Sequence, residues 1–273
     1  MHKGDYAMKK LFISADIEGT AGIAHWNETE KNISDYAYFA TQMTREVNAA
    51  CLGALDAGVE KILVKDAHDS GRNINPAQLP EQASVYRGWA RHPFCMMYGL
   101  DNSFTGVVFT GYHSAAQMST NPLSHTMTTQ NNYVKINGEL CSELLINSLT
   151  AAYVGVPVYC VCGDKGLCDW VKSVNPNIFT VAVSEGAGSG TFGMHPDVAV
   201  REIREAVKES LGQPRENFMF PLPKHFEVEI NYKEHFLATS NSFYPGAALK
   251  DARTITFAAD DYFEVLRFFH FAL

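Results

Sequence analysis

The sequence predicts an α/β protein: a mostly parallel sheet flanked by helices, followed by a small C-terminal α+β module. Three observations carry this. Short apolar runs alternate with amphipathic stretches from Lys9 to about Leu211. The first three elements form a β-α-β unit over residues 9–68. After Gly212 the composition shifts, with three prolines in "QPRENFMFPLP", which reads as a linker. The expected division is an α/β domain over 8–212, which carries the candidate site residues, and the module over 213–273. Met8 followed by "KKLFIS" resembles a natural start, so residues 1–7 are expected to be an appended leader.

"KKLFISA" is short, apolar and bounded by a glycine turn, as a buried strand is. In "SDYAYFATQMTREVNAACLGALDAG", Met43, Val47, Ala50, Cys51 and Ala54 recur at helical spacing. Ser34 is the expected N-terminal cap and Gly58 the C-terminal one. "EKILVKDAH" is the second strand and should run parallel to the first. "ASVYRG" and "TGVVFTGYH" read as further strands. "YVKINGE" reads as one edge of a hairpin turning at Asn137-Gly138. A helix is expected from about Leu140 to Tyr153, then a strand in "VPVYCVCGD", a short helix in "CDWVKSV" and a strand in "IFTVAVS". Pro196 suits the first turn of a helix reaching Leu211. "HFEVEINY", "RTITFAA" and "DYFEVLRFFHFAL" supply the module.

Composition narrows the function. A hydrophobic share of 46% over 273 residues supports a substantial core. A net charge of −8 opposes nucleic-acid binding, which needs clustered Lys and Arg. No run reaches the roughly 18 apolar residues of a membrane span. With no secretory leader, a cytoplasmic location is expected. The 6 cysteines show no paired C-x-x-C spacing and read as single buried thiols, with Cys160 and Cys162 on one strand face.

The chemistry gathers at strand ends. Asp16 and Glu18 follow the first strand, His68 the second and His113 a later one. Ligands of open α/β sheets bind outside the carboxyl ends of the strands. Carboxylates and imidazoles delivered to one edge suit zinc or another transition metal. In D-x-E the two acids share a face, and the turn at Gly19 lets both bend to one point. A carboxylate can bridge two cations, and metals roughly 3.5–4 Å apart suit a shared hydroxide nucleophile. Taken singly, D-x-E is a solvated strand end and each His a hydrogen-bonding side chain; the combination weakens that reading.

His125, in "NPLSHTMTT", alone reads as a surface histidine. Within reach of the site it would serve as general acid/base or steady an oxyanion. Glu139 and Glu143 both lie in "GELCSELLINSL", and spacing does not choose between them. "EGAGSGTFG" lacks the Lys-Ser/Thr of a phosphate loop and reads as a flexible loop near the site. His25, His92 and His195 have no supporting spacing, and His195 sits beside a helix start.

The pieces "SADIEG", "DAH", "GYHSAA", "SHTM" and "ELLIN" resemble, in order and approximate spacing, the zinc-dependent D-aminopeptidases of dipeptide-transport operons, family fifty-five of the metallopeptidases. The resemblance spans about Lys9 to Val183. It implies two zinc ions per subunit, with Asp16 bridging them. Glu18 and His113 would complete one metal, His68 and Glu143 the other. It chooses Glu143 over Glu139 because Leu follows and Asn147 lies four residues on. His125 matches the family's active-site histidine. A homodecamer cleaving the N-terminal residue from short D-alanine peptides and amides is implied, with no nucleic-acid or membrane partner. The glycine-rich segment, extra residues between the second strand and "GYHSAA", and the C-terminal module depart from the family pattern. The rival readings are a dimetal phosphoesterase, another amidohydrolase, and a non-enzymatic scaffold.

Overall fold

A computed structural model describes residues 8–273; the expected leader lies outside the described residues. The first strand, β1 (Lys10–Ala15), enters the centre of a seven-stranded sheet. It is followed by α1 (Tyr36–Asp56), β2 (Lys61–Asp66), β3 (Ala83–Tyr86) and β4 (Gly106–Tyr112). A hairpin of β5 (Asn131–Ile136) and β6 (Glu139–Leu140) precedes α2 (Glu143–Tyr153), β7 (Val158–Asp164), α3 (Lys165–Val174), β8 (Phe179–Ala187), β9 (Gly190–Gly193) and α4 (Pro196–Leu211). The C-terminal part holds β10 (Phe226–Tyr232), α5 (His235–Asn241), β11 (Ala248–Leu249), β12 (Thr254–Ala259) and α6 (Tyr262–Ala272).

The large sheet runs β3-β2-β1-β4-β7-β8-β9, parallel except for β9. Strand order therefore reverses between β1 and β4, the place where an open α/β sheet leaves a crevice. Alternation along β1 sends Leu11, Ile13 and Ala15 into a core with α1 and α4, and Phe12 into a core with α2 and α6. Both faces are thus covered, as the alternating pattern predicts.

A second, antiparallel sheet runs β11-β12-β10-β5-β6. β10 pairs with β5, so residues 213–273 complete their sheet with a hairpin drawn from the earlier chain. The expected linker is also more than a link, because Phe218 and Phe220 are buried in the shared core. The short α5 and β11 carry too little periodicity to be read beforehand.

Several boundaries differ from expectation. α1 is not capped by Ser34, whose hydroxyl donates to Asp35 instead. α2 begins at Glu143 rather than Leu140, because Leu140 pairs with Lys135 in the hairpin and Ser142 takes the cap. Asn137 and Gly138 turn that hairpin with φ of 52° and 85°. The glycine-rich segment is not a flexible loop but the β8–β9 hairpin. It is bound to the neighbouring loop by Gly186 N–H donating to Thr120 O at 3.0 Å. All six cysteines are free, and five are buried.

Candidate metal centre

Two close backbone approaches place the site. Gly19 N–H donates to Gly111 O at 2.8 Å, and Asp16 N–H to Thr110 O at 2.9 Å. A Cβ on Gly19 would collide with the Tyr112 carbonyl, and one on Gly111, whose φ is +68°, with the Asp16 carbonyl. Only glycine at both positions lets the segments after β1 and β4 lie against each other. The residues beyond these strands then face one point.

Asp16, Glu18 and His68 form one buried set, and His113, Glu143 and the partly buried His125 another. Within each set the ligand-type atoms all lie within 4.8 Å of one another. His68 Nδ1 is 3.4 Å from Asp16 Oδ1 and 3.2 Å from Glu18 Oε1. His113 Nε2 is 3.5 Å from Asp16 Oδ2 and 3.6 Å from Glu143 Oε1. Asp16 thus spans the two sets, one oxygen toward each. Glu143 belongs to the centre, whereas Glu139 is exposed on β6. The grouping differs from the one the resemblance implies: Glu18 sits with His68, and Glu143 with His113. The cause is strand order, since β1 lies between β2 and β4 and the turn after Asp16 carries Glu18 to the β2 side.

Each imidazole is held by a backbone carbonyl on its outward nitrogen. His68 Nε2 lies 2.9 Å from Thr29 O, His113 Nδ1 2.9 Å from Ser114 O, and His125 Nδ1 2.9 Å from Leu123 O. A carbonyl only accepts, so these nitrogens donate and the inner ones turn toward the carboxylates. This is the support that metal-ligating histidines commonly have. Asp16 Oδ2, Glu18 Oε2 and His113 Nε2 are buried without a hydrogen-bond partner. Three buried carboxylates facing three ring nitrogens, with such orphaned atoms among them, fit a divalent cation pair.

The electrostatics agree. Burial, and then the neighbouring Glu18, push the Asp16 carboxyl well above its ordinary range. Burial opposes ionisation of Glu18 and Glu143, but His68 and His113 outweigh it and hold both below the usual carboxylate range. His113 is driven up to about 10: burial works against its charge, and Glu143 prevails. His68 is likewise raised, by Glu18 and Asp16 over the opposing burial. His125 moves the other way, lowered by burial and by the charge of His113. Cations taking the place of those protons would neutralise the same carboxylates.

His125 stacks on His113 at 4.3 Å and 9°, and the Trp26 ring meets it edge-on at 5.2 Å. Its Nε2 is 3.5 Å from Glu143 Oε1, which also accepts from Met127 N–H at 2.7 Å. The centre floors a cleft of about 1180 Å³ whose walls include Trp26, Met127, Leu266 and Phe269. Trp26 and the contribution of α6 escaped sequence reasoning, since neither shows a periodic or motif signal. His25 and His195 only cap helices, and His92 lines a cleft wall and belongs to neither three-residue set.

Residues 8–271 match the D-aminopeptidase family of peptidases. The chain belongs to the D-aminopeptidase family. It is accordingly a hydrolase acting on peptide bonds. A D-aminopeptidase of Bacillus subtilis (strain 168) is 29% identical over 259 residues, 93% of each protein. The fold matches a solved structure described as the Zn-dependent D-aminopeptidase DppA from Bacillus subtilis, a self-compartmentalizing protease. The TM-score is 0.88 at 28% identity, over 96% of this chain and 97% of that one. No helix among the described residues is long and apolar enough to cross a membrane.

Proposed function

We propose that this family member is a dizinc aminopeptidase that removes the N-terminal residue, D-alanine by preference, from short peptides or amides. The observation that carries the reading is the pair of three-residue sets, buried but for His125, joined through the two oxygens of Asp16. Asp16, Glu18 and His68 would hold one zinc, and Asp16, His113 and Glu143 the other. The bound zinc pair supplies Lewis acidity toward the scissile carbonyl and an acidified water near neutral pH.

The chain's own groups do the rest. Thr29, Ser114 and Leu123 carbonyls fix the three imidazole tautomers before substrate arrives. His125 is the one histidine of the centre that stays partly open to the cleft. Held neutral by burial, its Nε2 can accept a proton and return it to the leaving amine. A covalent role for His125 is not required by this arrangement. The family likeness to a self-compartmentalizing protease supports a closed homo-oligomer, a decamer in this reading, which light scattering would measure.

The test joins metal content to activity. Glu18→Gln and His68→Ala should lower bound zinc and hydrolysis of D-alanyl amide together. His125→Ala should keep its zinc and lose activity by about 10²-fold or more. Full zinc and full activity in both ligand variants would refute the site. Faster turnover of L-alanyl than of D-alanyl amide would refute the stereochemical part alone.

A further inference from the structure

The fold makes the long connection between β2 and β4 a wall of the catalytic cleft. Residues Trp89 to Met96 line the cleft together with Asp16 and Glu18. This wall is firmly anchored. The Lys65 ammonium, fully buried, donates to Gly88 O at 3.0 Å and to the Asp66 carbonyl, and stands 3.9 Å from the Trp89 ring centre. Trp89 Nε1–H donates to Asp69 O at 2.6 Å. At the other end, Phe94 packs on Phe263 of α6 with ring centres 6.1 Å apart, and His92 on the same ring at 6.2 Å.

Between these anchors stands Arg91, in the left-handed backbone region with φ of 56°. Four arginines outside the cleft, Arg45, Arg201, Arg204 and Arg267, have carboxylate partners within 4.0 Å, whereas Arg72, Arg87, Arg215 and Arg253 have none among the described residues; Arg91 is the arginine that lines the cleft. Among the described residues Arg91 has none, although Glu30 and Asp69 line the same cleft. The other basic groups there are less suited to an anion. Lys31 already donates to Arg72 O at 3.1 Å, and His92 and His270 are imidazoles rather than fixed cations. A free guanidinium therefore shares a cleft with a carboxylate-lined hydrolytic centre.

We propose that Arg91 is a specificity determinant that recognises the free C-terminal carboxylate of a short peptide whose N-terminal peptide bond lies at the Asp16–Glu143 centre. This rests on the aminopeptidase reading above. A guanidinium matches a carboxylate in shape as well as charge. The preference it creates is for unblocked di- and tripeptides over their amides.

The experiment uses zinc-loaded full-length protein with two matched substrates, D-alanyl-D-alanine and D-alanyl-D-alanine amide. The readout is the ratio of their kcat/KM values. Arg91→Asn removes the charge and tolerates the left-handed backbone. It should lower the ratio about fivefold, the factor supplied by a partly exposed ion pair. The loss should appear in KM for the dipeptide, and Arg91→Lys should restore part of it. The wild-type ratio should also fall as salt rises. Arg267→Gln, on the outer surface, is the control. An unchanged ratio in Arg91→Asn overturns the proposal while leaving the aminopeptidase reading intact. Wild-type protein that cleaves neither substrate overturns both.

Discussion

Glu46 lies in α1, fully buried, beneath the turn that carries Glu18. Its Oε1 accepts from Ala21 N–H at 3.0 Å and Gln42 Nε2–H at 2.9 Å, while Oε2 has no partner. Burial raises its carboxyl from 4.5 to about 7, with the two hydrogen bonds only partly opposing. The sign follows from proton counting. Between these two values the folded state keeps the proton and the unfolded state releases it, so stability falls as pH rises. The favourable contribution is complete below 4.5 and is lost as pH climbs through about 7. Linkage between those values gives a loss of about 2.5 kcal/mol from pH 5 to pH 8. Glu46→Gln keeps the Oε1 acceptor and has no charge to bury. Urea denaturation of both proteins, at saturating zinc, should therefore show curves that diverge with pH. The variant should gain about 2.5 kcal/mol on the wild type over that interval. Parallel pH curves would refute the assignment of a buried, ionising Glu46.

Gly111→Ala sets a Cβ against the Asp16 carbonyl in a left-handed backbone. It should cost more than about 2 kcal/mol in urea denaturation and lower zinc affinity with it; a wild-type midpoint would refute the close-approach argument. Trp26→Ala removes the edge contact that confines the His125 ring. Turnover should fall about 3- to 10-fold at unchanged zinc content, the worth of one aromatic pair, and undiminished kcat would show that His125 needs no such wall.

The parts of the fold that were legible are those where local pattern and burial agree. β1, α1 and β2 declare themselves by period, with Gly58 ending α1, and the strand-end rule then gathers Asp16, Glu18, His68 and His113 at one edge. The remaining site residues depend on contacts that no local period encodes. Glu139 and Glu143 are equivalent by spacing until the β5–β6 hairpin exposes the first and Ser142 starts α2 at the second. His125 sits on a loop and Trp26 on the single-turn helix Trp26–Glu28, and their ring contacts appear only when β4 and the chain after β1 lie side by side. The glycine-rich segment misled because glycine there answers to a close neighbour, the Thr120 carbonyl beside Gly186, and not to flexibility.

The ligand grouping shows most clearly what topology adds. Sequence order presents Asp16, Glu18, His68, His113 and Glu143 without saying which acid meets which imidazole. Register does: Ala15 pairs with Asp66 on one side and with Thr110 on the other, so Asp16 emerges between the strands that lead to His68 and His113. One acid with two oxygens is then placed between two histidines, and Glu18 and Glu143 each fall to one side. Such burial of three carboxylates is tolerable only when positive charge meets them, since an unpaired buried charge costs several kcal/mol. Protons on His68 and His113 can serve, but they stop those nitrogens from ligating and leave Asp16 Oδ2 and Glu18 Oε2 unpartnered. A divalent pair would satisfy all of these atoms at once, which is why the orphaned atoms, more than the count of acids and histidines, argue for metal at this centre.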